Sequence, residues 1–160
     1  MSIPAFHVLV EQNRRAVYGF LMVAAGPDEA DDCFQETFLA ALRGYPRLRN
    51  GANLRAWILS IATRKAIDAA RSRRRRPLPV PEVPEALDQA GEEPLRRVEG
   101  DGQLWRSVAS LPERQRAALA HRYVLDLPYE EIGAAMGCSP AAARANVYQG
   151  LRKLRKEWER

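Results

Sequence analysis

The side chains here that could do chemistry are basic and polar groups at helical spacing, and what they offer is recognition of a polyanion. In the segment Tyr129-Glu130-Glu131-Ile132-Gly133-Ala134-Ala135-Met136-Gly137-Cys138-Ser139, a short apolar helix meets a glycine turn and a second capped helix. This is helix-turn-helix spacing, and in such a unit the second helix enters the major groove of DNA. Gly137 supplies the positive φ that the tight turn requires, and Gly133 keeps bulk away where the second helix crosses closely. Ser139 caps that second helix, and Arg144, Asn146 and Tyr148 lie along it in reach of base edges or phosphates. Arg152 and Lys153 lie further along, where DNA backbone is the expected partner. The plainer alternative for the segment is an αα-hairpin with a solvated basic face.

Two further clusters stand out in the N-terminal half. Arg64, Lys65, Arg71 and the run Arg73 to Arg76 make a second basic surface. Upstream, Asp28-Glu29-Ala30-Asp31-Asp32-Cys33-Phe34-Gln35-Glu36 reads as a helix with Asp32, Gln35 and Glu36 on its polar face. On its own that pattern also suits acids near the positive end of a helix dipole. None of these clusters has the form of a catalytic site. The acids form one group with no second to face it, and neither His7 nor His121 has a ligand at helical spacing. No phosphate-cradling glycine loop, nucleophile elbow or Cys–His pair occurs. We therefore expect no catalytic residue, no metal site and no cofactor, with Cys33, Cys138, His7 and His121 acting as packing residues. An enzyme is the excluded class.

Charge is unevenly distributed along the 160 residues, whose net value is +5. Residues 1–52 are net −1, 53–76 net +7, 77–103 net −5 and 104–160 net +4. Two positive blocks separated by a negative one suggest two surfaces for a polyanion. The negative block also holds five of the 11 prolines, and Pro77-Leu78-Pro79-Val80-Pro81 cannot be helical. We read 1–76 and 104–160 as two small domains and 77–103 as a flexible acidic linker. No apolar run approaches the ~18 residues that span a bilayer, and Met1-Ser2-Ile3-Pro4 does not resemble a signal peptide. Two cysteines 105 positions apart suit a reducing compartment, so a cytoplasmic location is expected.

Apolar periodicity makes both halves all-α, with no segment of period two. Ser2 is expected to cap a first helix, with Pro4 in its first turn and Phe6, Leu9, Val10, Val17, Phe20 and Leu21 inward. Asp28 is expected to cap a second, buried through Phe34, Phe38, Ala41 and Leu42 and stopped at Gly44. Asn53 caps a third, roughly 30 Å long, with Leu54, Trp57, Ile58, Ile61 and Ala62 inside. Beyond the linker come a short helix around Trp105 and helices opened by Pro112, Pro128 and Ser139-Pro140.

The motifs together resemble a known family. Leu111-Pro112-Glu113-Arg114-Gln115-Arg116, Arg122-Tyr123-Val124 and Leu127-Pro128-Tyr129-Glu130-Glu131-Ile132 look like region 4 of sigma-70-family transcription initiation factors. Asp28 to Phe38 resembles sigma region 2.2. Leu54-Arg55-Ala56-Trp57-Ile58-Leu59-Ser60-Ile61-Ala62, with Ala66-Ile67-Asp68 and the arginine run, resembles regions 2.3 and 2.4. Regions 2 and 4 with neither region 1 nor region 3 describe the extracytoplasmic-function subfamily.

That resemblance implies binding to RNA polymerase core, through the β and β′ subunits, by Asp32, Gln35, Glu36 and Phe38. It implies recognition and melting of a −10 promoter element by Asn50, Asn53, Arg64, Lys65, Arg71, Arg73 and Arg74, with a flipped base held near the loop Leu48 to Asn53. Trp57 offers a stacking surface there, but its spacing with Leu54 and Ile61 favours the core. The −35 element would be read by Ser139, Ala142, Arg144, Asn146, Tyr148, Arg152 and Lys153. An anti-sigma protein is a further candidate partner. Arg64, Pro128, Pro140 and Asn146 depart from the family's usual residues at their positions. The competing reading is a helix-turn-helix regulator that acts without being a polymerase subunit.

Overall fold

A computed structural model describes residues 4–49, 52–75 and 102–159. Ser2 and residues 77–101 of the expected linker lie outside the described residues. The first helix, α1 (Phe6–Ala24), buries Leu9, Asn13, Val17, Phe20 and Leu21 along one stripe. Pro4 precedes the helix instead of sitting in its first turn, and the capping position is Ala5, whose side chain makes no cap bond. The helix ends at Gly26, whose φ of +92° only glycine adopts readily.

The second helix, α2 (Pro27–Gly44), places Pro27 at its start, so Asp28 lies in the first turn and does not cap it. Its buried stripe is Ala30, Cys33, Thr37 and Ala41. Leu42, expected inside, is 50% exposed, as is Leu39 at 53%. Small residues let α2 lie close on its neighbours, and this turns its leucines outward. A 3₁₀ turn (Tyr45–Arg47) follows. In α3 (Leu54–Arg75), Asn53 accepts the Ala56 N–H at 3.1 Å as the expected cap. Trp57 is half-buried against the core, and Cβ on Gly44 would lie 3.1 Å from its ring.

The second half comprises α4 (Gly102–Ser110), α5 (Glu113–Tyr123), α6 (Tyr129–Met136) and α7 (Pro140–Trp158). Among the described residues there is no strand. Pro112 and Pro128 stand just before α5 and α6, where a missing N–H costs little. α4 begins at Gly102, two residues ahead of the expected start of this half. Cβ on Gly150 would lie 2.8 Å from Leu119 Cδ1, so glycine sets the close approach of α7 to α5.

The halves share one core. α1 and α3 both pack on α5, and α3 also packs on α6. The buried cluster runs without a break from Val17, Phe20 and Ile58 to Ala118, Ile132 and Val147. α5 is buried at every position from Gln115 to His121, because helices of both halves surround it. Arg116 donates from Nε to the Val23 carbonyl at 2.6 Å, tying α5 to the end of α1. Burial, then the charge of Arg73, lowers its pKa to about 10.

Candidate nucleic-acid and polymerase interfaces

The helix-turn-helix has the local geometry its sequence requires. Gly137 takes φ +68° at the end of α6, and the Cys138 N–H donates to the Gly133 carbonyl at 2.9 Å. A Cβ on Gly133 would lie 2.6 Å from the Cys138 carbonyl oxygen, so the close approach is to the turn's own backbone. Ser139 Oγ accepts the Ala142 N–H at 3.0 Å, opening α7 with Pro140 in its first turn. Arg122 steadies the preceding loop, donating to the Leu127 carbonyl at 3.1 Å with its guanidinium 5.1 Å from the Tyr129 ring centre.

On α7, Arg144, Tyr148, Arg152 and Lys153 are exposed. Arg144 donates to the Tyr148 hydroxyl at 3.0 Å and its guanidinium stands 5.1 Å from that ring's centre. The contact pre-orients a bidentate donor, which lowers the entropy it would lose on meeting a pair of acceptors. Asn146 is half-buried and donates back to the Ala142 carbonyl at 3.0 Å. Ser139 is likewise engaged as a cap, so Arg144 and Tyr148 are the side chains most available.

The basic face of α3 is differently placed. Arg64 is exposed, while Lys65 is half-buried beside Cys33. Arg71 pairs with Glu113 of α5 at 3.3 Å, and Arg73 pairs with Asp28 of α2 at 2.9 Å. The face carrying Ser60, Arg64, Asp68 and Arg71 forms one wall of a crevice, and Arg114 with Ala134 to Gly137 forms the other. The helix-turn-helix thus stands over the second basic surface. Asn50 and the Arg74 side chain lie outside the described residues, and Asn53 is held as the α3 cap.

On α2, Asp32, Gln35 and Glu36 share an exposed face. Phe38 is half-buried, its ring 4.8 Å from that of Phe34, and so belongs mainly to packing. The exposed apolar groups beside the acids are Leu39 and Leu42, which the sequence reading missed. Their spacing from Asp32 and Gln35, seven residues in each case, was the available signal. Cys33 is buried; burial first, then Glu29, Glu36 and Asp32, push its thiol up to about 11, so it stays protonated as a packing group. His7, by contrast, is exposed on α1 and lies outside the core, because it falls on the face of α1 opposite Leu9. Among the described residues no group of acids, histidines or cysteines could hold a metal.

Fold and surfaces define a helical protein with a helix-turn-helix, a basic helix beyond it and an exposed acidic face on α2. Residues 9–76 match Sigma-70 region 2, and residues 101–154 match Sigma-70 region 4. The RNA polymerase sigma factor CarQ of Myxococcus xanthus is 33% identical over 163 residues, covering 95% of this chain and 88% of CarQ. The ECF sigma factor ShbA of Streptomyces griseus is 33% identical over 132 residues, covering 78% of this chain and 69% of ShbA. The sigma factor RpoE of Bartonella quintana, solved with its anti-sigma factor NepR, has the same fold, with TM-score 0.72, 20% identity and 98% of each chain covered. The chain belongs to the sigma-70 family, in its extracytoplasmic-function branch, and serves RNA polymerase in promoter-specific initiation. No described helix is long and apolar enough to cross a membrane.

Proposed function

We propose that this chain binds RNA polymerase core through α2, reads a −35 element with α7 and reads and melts a −10 element with α3. The division assigns 1–76 to polymerase and −10 contacts, 104–160 to −35 contacts, and the acidic 77–103 segment to joining them. Arg144 poised on Tyr148, at the exposed start of α7, is the observation that carries the reading. Its guanidinium matches the two acceptors of a guanine edge. Asp32, Gln35 and Glu36, flanked by Leu39 and Leu42, supply both charge and apolar area for a basic protein partner. The chain contributes no catalysis of its own; bond formation belongs to the polymerase, and the reaction takes place in the cytoplasm. Because RpoE was solved with an anti-sigma factor, a silencing protein of that kind is a natural partner here as well.

Run-off transcription with core enzyme on a fragmented genomic library tests the reading. Discrete start sites that depend on both chain and core are expected, with only weak binding of free duplex by the chain alone. Tight duplex binding without core, and no new start sites, would instead indicate a regulator outside the polymerase. In the same assay the double reversal Asp32→Lys and Glu36→Lys should abolish copurification with core while leaving helix content unchanged. Retention at the wild-type level would move the docking face away from α2.

A further inference from the structure

Between the halves lies a histidine whose tautomer is set by its neighbours. Thr63 Oγ1 lies 2.6 Å from the Leu59 carbonyl and donates its only proton there. Its contact with His121 Nε2 at 2.8 Å therefore has the ring donating and the hydroxyl accepting. The neutral ring thus carries hydrogen on Nε2, and Nδ1 is a buried acceptor with no partner in the protein. The Phe20 ring stacks on the imidazole at 4.2 Å with planes 22° apart. His121 itself is fully buried.

A second proton would have to enter at Nδ1. It would create a cation in an apolar site and a donor with nothing to accept it. Burial accordingly lowers the ring pKa to about 3. Neighbouring charges do not offset this. On α5, Arg116 and Arg122 are directed to the Val23 and Leu127 carbonyls. On α3, Arg64 flanks Thr63 but is exposed, and Lys65 lies beside Cys33. α1 has no charged residue between Val17 and Ala24. Glu130 and Glu131 of α6 and Arg152 of α7 are exposed. The hydrogen-bond partner Thr63 and the stacked ring of Phe20 both belong to the N-terminal half, so separating the halves would expose the ring.

We propose that His121 is a proton-operated latch between the halves, closed when the ring is neutral and released when Nδ1 is protonated. Release would uncover the α3 face now opposite Arg114 and Met136. The value of that face for promoter contact rests on the function proposed above; the opening itself does not. The sign follows from linkage. Once exposed to water the ring titrates near its ordinary 6.5. The closed form is fully favoured above that value and loses about tenfold per pH unit below it. Between pH 7.5 and 5.5 the closed-to-open ratio should fall about tenfold.

Amide hydrogen exchange of the full chain, read by peptide and corrected for intrinsic rate at each pH, tests the latch. Protection of residues 60–71 and 115–123 should fall about tenfold from pH 7.5 to 5.5, while residues 30–41 keep theirs. His121→Gln should remove this pH dependence. Thr63→Val, which leaves the ring titratable, should lower protection at pH 7.5 and retain the slope, and it serves if His121→Gln does not fold. Flat protection in the wild-type chain would overturn the proposal. So would an equal loss in every helix, or an undiminished slope in folded His121→Gln.

Discussion

The two basic helices, α3 and α7, look alike in sequence and differ in the folded chain. Both begin at a side-chain cap, Asn53 for α3 and Ser139 for α7, and both carry arginines into their later turns. On α7 the cations project from a surface that nothing else in the described residues covers, and Arg144 is held only by its own helix neighbour, Tyr148. On α3 two arginines are ion-paired, Arg71 with Glu113 of α5 and Arg73 with Asp28 of α2, and the face of Arg64 and Arg71 looks across a crevice to the helix-turn-helix. The difference teaches that basic charge marks a polyanion surface but says little of its availability. Availability depends on what packs opposite: on α3 the helix-turn-helix stands across the crevice from the face of Arg64 and Arg71, while the basic face of α7 meets open solvent.

The strongest way to break this comparison is to attack the interface that sets the helix-turn-helix opposite α3. Phe20 is fully buried and stacked on His121, so Phe20→Ala should cost ~3–5 kcal/mol in urea denaturation. A loss below ~1 kcal/mol would mean that the shared core contributes little, and that the contrast between α3 and α7 does not survive in solution.

A smaller effect sharpens the other side. Arg144→Ala should cost ~1–3 kcal/mol at one base position of the −35 element and relax preference there, whereas Lys153→Ala should weaken all sequences alike and flatten the salt dependence by about one ion. Promoter-library transcription paired with salt titration of holoenzyme separates the two. If preference survives Arg144→Ala, base reading passes to Tyr148 or Asn146.

The smallest effect tests whether ion pairs hold α3 shut. Arg71 is 52% exposed, so its pair with Glu113 is screened by solvent, and a double-mutant cycle between Arg71→Ala and Glu113→Ala should give under ~1 kcal/mol. A larger coupling would shift the locking role from the apolar core and His121 to surface charge.

Much of the molecule was legible in the residues alone because it depends on local chemistry. Helix positions followed from apolar spacing, and Asn53, Ser139, Pro112, Pro128 and Gly137 act at the helix ends where their types predict. The failures were also local. Ala5 and Gly26 stand where Ser2 and Asp28 were expected to begin helices, and the buried stripe of α2 passes through Cys33 and Thr37 instead of Leu42. A helix with alanines and leucines on adjoining faces can turn either inward; close packing on α1 and α3 chose the smaller.

The tertiary structure alone decided how the two halves meet. His121 stands far from the other histidine in the sequence and has neither cysteine within a helical turn, and no rule of spacing pairs it with Thr63, 58 positions away, or with Phe20. Nor does spacing direct Arg116 to the carbonyl at the end of α1, 93 residues distant. Caps, turns and amphipathic faces are contests among near neighbours, which residue type settles. Contacts across long loops depend on which apolar surfaces remain to be covered once the helices exist, and that is a property of shape in three dimensions.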